Sequence, residues 1–96
     1  MVIEETKTRP GRDFYQMFYT EYNNKNINGE KIVTIKEELT IGNNTKLEVY
    51  VDDKKILEFF VRPQNDYLKA YANEAIRRVN IYFQNLREGK YVINQY

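Results

Sequence analysis

Lys46-Leu47-Glu48-Val49-Tyr50-Val51-Asp52-Asp53-Lys54-Lys55-Ile56-Leu57-Glu58-Phe59-Phe60-Val61-Arg62-Pro63 is the stretch on which the fold turns. Leu47, Val49 and Val51 alternate with Glu48 and Tyr50, so they share one face of an extended strand. Asp52-Asp53-Lys54 is a short polar turn, and Ile56–Arg62 is a second strand that Pro63 ends. A link this short joins antiparallel neighbours. Upstream, Lys31–Leu39 is β-branched and partly alternating, and Gly42-Asn43-Asn44 turns it into Lys46. The centre of the chain therefore reads as a three-stranded antiparallel meander.

Helical signals lie on either side. Pro10 opens the run Pro10–Tyr22, with Asp13 near the positive end of the helix dipole, and the helix is expected at about 11–23. The turn formers Asn23–Gly29 end it. After Pro63, Asn65 or Asp66 is placed to cap a helix over about 65–87. Leu68, Ala72, Ala75, Ile76, Val79, Phe83 and Leu86 fall within an arc of roughly 100° on it, a single core-facing stripe. Arg87 suits the last turn and Gly89 a C-cap. Residues 1–9 read as a flexible arm and 90–96 as a loose tail. The expectation is one α+β domain of order α-β-β-β-α, its meander packed against two helices.

Composition excludes more than it proposes. A chain of 96 residues has room for one core. It is 42% hydrophobic and 30% charged, which is globular rather than disordered. Fifteen basic and fourteen acidic residues leave +1, so no strong field draws nucleic acid or an anionic surface. Cys, His, Ser and Trp are all absent, which removes thiolate and imidazole metal sites, serine and cysteine nucleophiles and the usual general base. We expect no enzyme, no cofactor and no metal. No stretch approaches the ~20 apolar residues of a membrane span, and the first residues have no basic or apolar leader region. Nine Tyr and five Phe, 15% of the chain, are what stands out. Tyr is enriched at interfaces because its ring buries well while its hydroxyl finds a partner.

The sequence carries more apolar surface than one core requires. Phe14, Tyr15, Met17, Phe18, Tyr19 and Tyr22 spread over roughly 200° of the first helix, where a helix lying on a sheet needs about 100°. If Leu57, Phe59 and Val61 face the core, strict alternation turns Ile56 and Phe60 to the other side. Either the terminal segments cover these positions or a partner does. Phe14, Phe18, Tyr19, Tyr22, Ile56 and Phe60 are thus the candidate interface residues. Arg77 and Arg78 with Tyr82 form a basic, aromatic group beside Glu74, readable as a solvated helix face or a contact surface. Glu37-Glu38 is no catalytic pair, since neighbours on a strand point to opposite faces. Asn43-Asn44-Thr45 fits a glycosylation sequon, and turn formation explains it equally well.

Several of these stretches have a familiar order. Gly11-Arg12-Asp13-Phe14-Tyr15-Gln16-Met17-Phe18 is similar to the Gly-x-Asp-Phe-Tyr-x-x-Phe opening of the CsgE family of curli assembly components. Thr34-Ile35-Lys36-Glu37 resembles that family's Thr-Ile-x-Glu strand, and Val51–Pro63 its third-strand hairpin. Asn65-Asp66-Tyr67 stands where the family begins its last helix with a basic residue, Asp and an aromatic. The likeness runs from about residue 11 to about 85. The chain departs from it in having Tyr22 where a family member carries Trp, and in a longer Asn-rich loop.

The resemblance implies a periplasmic, non-enzymatic accessory factor, here as a mature form with its signal peptide trimmed. It would assemble with itself into a ring, cap the outer-membrane curli secretion channel, deliver curli amyloid subunits and delay their fibre formation. Arg77, Arg78 and Tyr82 would then be candidates for client contact. Two other readings compete: a generic protein-interaction domain, and a double-stranded-RNA-binding module, which shares the element order. The latter places a Lys cluster at the start of its second helix, where this chain has Gln64-Asn65-Asp66-Tyr67.

Overall fold

The computed structural model describes residues 1–25, 27 and 31–89. Its elements are β1 (Val2–Glu5), α1 (Arg9–Asn24), β2 (Val33–Leu39), β3 (Thr45–Val51), β4 (Lys54–Phe60) and α2 (Asn65–Arg87). They form an α+β fold with a four-stranded sheet of order β1-β2-β3-β4. The antiparallel meander is present as β2-β3-β4. The fourth strand is a correction: Val2–Glu5, expected within a flexible arm, pairs in parallel with Val33–Lys36. The expected tail at 90–96 lies outside the described residues, as do Asn26, Asn28 and Gly29 of the expected turn Asn23–Gly29.

Turn chemistry sets the meander. Gly42 and Asn43 between β2 and β3, and Asp52 between β3 and β4, all have positive φ. Gly reaches that region without strain, and Asn and Asp tolerate it better than other residues. Asp52 also ties the sheet's far end, accepting the Ile32 N–H at 3.1 Å while donating its own N–H to the Ile32 carbonyl at 2.7 Å.

One sheet face builds the core. Val33, Ile35, Leu47, Val49, Val51, Leu57 and Phe59 are buried there beneath Phe14, Phe18 and Tyr22 of α1 and the predicted stripe of α2. Leu68, Ala72, Ala75, Ile76, Val79 and Phe83 are all buried, and Leu86 is half-buried against them. Phe14 meets Phe59 edge-on with ring centroids 5.0 Å apart, and Phe18 stacks between Phe14 and Tyr22.

The helix ends differ in detail from expectation. Thr8 caps α1, accepting the Gly11 N–H on its hydroxyl at 3.1 Å, so the helix begins two residues early and Asp13 lies beyond the first turn. Gln64 occupies the N-cap of α2 with no side-chain capping bond, in place of the expected Asn65 or Asp66. At the other end Glu88 is the C-cap of α2, and Gly89, expected there, follows it at φ +74°, its N–H donating to the Leu86 carbonyl.

Candidate interaction surface

A β-bulge decides what β4 presents. Val49 opposes Leu57 but Tyr50 opposes Lys55, which leaves Ile56 as the extra residue. The bulge breaks strict alternation, so Ile56 packs against the core instead of standing on the open face. Phe60, beyond the bulge and opposite Lys46, keeps the predicted orientation and is 56% exposed.

Charged residues stand beside Phe60 on that open face. Lys36, Glu48 and Glu58 form one row across β2, β3 and β4. Glu48 and Glu58, opposed like charges, are bridged by Lys46 at 3.7 and 3.5 Å and by Lys55 at 3.0 and 2.5 Å. The hydrogen bond from Lys55, helped by Lys46, holds the Glu58 carboxyl below its ordinary range. Phe60 is therefore an exposed aromatic at the edge of a salt-bridged face.

On α1 the aromatic surplus has an intramolecular explanation. The helix packs on the sheet and also lies against α2, the two lining a cleft between Gln16, Met17, Thr20, Lys69 and Ala72. A helix with two neighbours buries a wider arc than one lying on a single surface. Phe14 and Phe18 are fully buried and Tyr22 is 6% exposed, so all three belong to the chain's own core. Burial raises the pKa of the Tyr22 phenol accordingly. Tyr15 is half-buried, its phenol raised by burial and then by the nearby charge of Glu4 in β1. Tyr19 stacks on Tyr15 at 5.8 Å and is 43% exposed. Of the six interface candidates, Tyr19 and Phe60 remain on the surface. They belong to different elements: Tyr19 stacks on Tyr15 along α1, and Phe60 is on β4, an outer strand of the sheet.

The basic group on α2 is engaged within the chain. Glu74 accepts two bonds from Arg77, at 3.1 and 2.6 Å, and one from Arg78 at 2.6 Å. Those bonds pull its carboxyl down to about 2. Arg78 also reaches across to the Ile56 carbonyl at 3.1 Å. Tyr82, half-buried against the core, completes the group. No cluster of three metal-binding side chains occurs among the described residues, and no described helix is long and apolar enough to cross a membrane.

The residue that composition hid is Glu37. It is wholly buried on the core side of β2, where a carboxylate is costly unless fully bonded. Its Oε1 accepts the N–H groups of Lys7 at 2.6 Å and Thr8 at 2.9 Å. Its Oε2 accepts the hydroxyls of Thr8 and Thr45, both at 2.6 Å. Glu37 thereby fixes the β1–α1 junction and places its charge at the positive end of α1.

A two-helix layer on one face of a four-stranded sheet, with Tyr19 and Phe60 left exposed, defines a small α+β domain. The sequence matches the family described as curli assembly protein CsgE over residues 1–95, and the chain belongs to that family. Its role is accordingly in curli assembly. No curated protein and no solved structure matches it.

Proposed function

We propose that this protein is a periplasmic accessory factor that acts by binding. It assembles with itself into a ring, caps the outer-membrane curli secretion channel, delivers curli subunits to it and delays their conversion to fibres. Beyond family membership, the observation that carries this reading is the exposure of two aromatic rings on different elements of one small domain, Tyr19 on α1 and Phe60 on β4. Burying an aromatic ring of ~150–250 Å² at ~25 cal/mol per Å² is favourable by a few kcal/mol before association entropy is subtracted. Two different patches that meet head to tail make a heterologous contact, which closes into a ring when the rotation allows. Channel and client would meet the surfaces that such a ring leaves free.

The test is fibre formation by the cognate curli subunit, followed by thioflavin fluorescence with sub-stoichiometric amounts of this protein. A lengthened lag phase is expected. Unchanged kinetics at equimolar protein would overturn the chaperone part of the proposal.

A further inference from the structure

A four-stranded open sheet has two edges, and an unprotected edge is a template for strand addition. β4 is one of them. The Val61 N–H donates to the Thr45 carbonyl at 2.9 Å, which makes Thr45 and Val61 a hydrogen-bonded pair. By alternation, Leu57 and Phe59 also turn their backbone groups toward β3, and Glu58 and Phe60 turn theirs outward. Ile56, the bulge residue, joins the outward set, because its carbonyl is reached from α2. An added strand would need these carbonyls.

Two of the three are already taken. The Tyr67 hydroxyl donates to the Phe60 carbonyl at 2.6 Å, and Nη1 of Arg78 donates to the Ile56 carbonyl at 3.1 Å. Both donors come from α2. They are eleven residues apart, roughly 16 Å along a helix axis, against about 13 Å for four residues of strand, so α2 runs alongside the edge and spans it.

Each donor is itself held in place. Tyr67 packs against Tyr71 and Phe59, with the Arg62 guanidinium 5.4 Å from its ring centre. Glu74 fixes the Arg78 side chain from the opposite side. Between the capped carbonyls, Glu58 adds a charged side chain to the edge, a further known deterrent to pairing.

We infer that α2 latches the outer edge of β4 shut, Tyr67 and Arg78 blocking the carbonyls through which the sheet would otherwise take an added strand from a second copy of this chain. The inference concerns the chain alone and stands apart from the proposed action on curli subunits. It gives Arg78 a role as an edge guard, with Glu74 as its positioning residue.

The test uses the full chain carrying Tyr67→Phe and Arg78→Gln, which delete the two donors and keep most of each side chain's bulk. The latch predicts a freshly prepared variant with parent-like circular dichroism and parent-like sedimentation. On incubation it should form thioflavin-positive assemblies at least tenfold faster than the parent, and hydrogen exchange should show new amide protection at Glu58 and Phe60. A folded variant that assembles no faster than the parent, or assembles with protection elsewhere, overturns the inference. If the pair of substitutions unfolds the chain, Tyr67→Phe alone, a change of one hydroxyl, is judged by the same two outcomes. Because no curli subunit is present, failure here leaves the proposed function untouched.

Discussion

Gly11 lies against the carboxylate of Glu37 so closely that neither residue tolerates much change in the other. A Cβ at position 11 would overlap Oε1 of Glu37 and stand 2.8 Å from its Cδ. The carboxylate has no room to retreat, since Lys7, Thr8 and Thr45 hold both its oxygens. Two stretches that resemble the family by sequence, Gly11–Phe18 and Thr34–Glu37, are thus two halves of one contact. It joins the first turn of α1 to the edge of the meander and docks β1 beside them.

Gly11→Ala is expected to destabilise, against the ordinary trend for this substitution in a helix. In an open helix it stabilises by about 0.5–1 kcal/mol. Here the overlap with a pinned carboxylate costs about 1–3 kcal/mol, as overpacking does, and outweighs that gain. Urea unfolding reads the sign directly, and a raised midpoint would show that Glu37 moves aside freely.

Glu37 makes stability depend on pH in a definite direction. Burial raises its pKa, but the bonds from Thr45, Thr8 and the Lys7 and Thr8 N–H groups more than reverse this, leaving it below the ordinary 4.5. A group depressed in the folded state contributes fully above its unfolded value and loses that contribution as pH falls through the folded one. Glu37→Gln, which removes the charge and makes the Thr8 and Thr45 hydroxyls turn from donating to accepting, should cost about 1–3 kcal/mol at neutral pH. The gap in thermal midpoint between parent and variant should then narrow below about pH 4.5, the unfolded value. A gap that stays constant down to pH 3 would contradict the assignment.

Phe14 and Phe60 carry the same side chain in opposite settings. Phe14 is wholly buried, and Phe60 is 56% exposed. Phe14→Ala should cost about 3–5 kcal/mol through the cavity it leaves. Phe60→Ala should stay within about 0.5 kcal/mol in the monomer. Equal losses in chemical denaturation would mean that Phe60 is structural.

How far the chain could be read depended on how local each signal was. The stripe from Leu68 to Phe83 repeats with the helical period, and Asp52-Asp53 marks its turn, so α2 and the meander were legible. β1 was not, because Val2–Glu5 is half acidic, and its partner Val33–Lys36 is some thirty residues away in the chain. Strict alternation puts Ile56 on the wrong face because it cannot count the extra residue that a bulge inserts. The apolar arc on α1 is wide because part of it serves α2 and the core. Phe14, Phe18 and Tyr22, one stripe at intervals of four, fill the interior, and Tyr19 lies off it. The hydroxyl of Tyr67 and the guanidinium of Arg78 gave no periodic sign at all, since their partners are backbone carbonyls whose orientation follows from strand register.

Self-association through the two exposed rings is the centre of this account, and sedimentation velocity tests it most directly. Tyr22 is unsuitable for the purpose, because its removal would open the core; Tyr19→Ala with Phe60→Ala leaves the core intact. The parent at tens of micromolar, with no channel or curli subunit present, should sediment as a multimer, and the double variant as a folded monomer. A parent that remains monomeric at that concentration, or a double variant that sediments as the parent does, would contradict it.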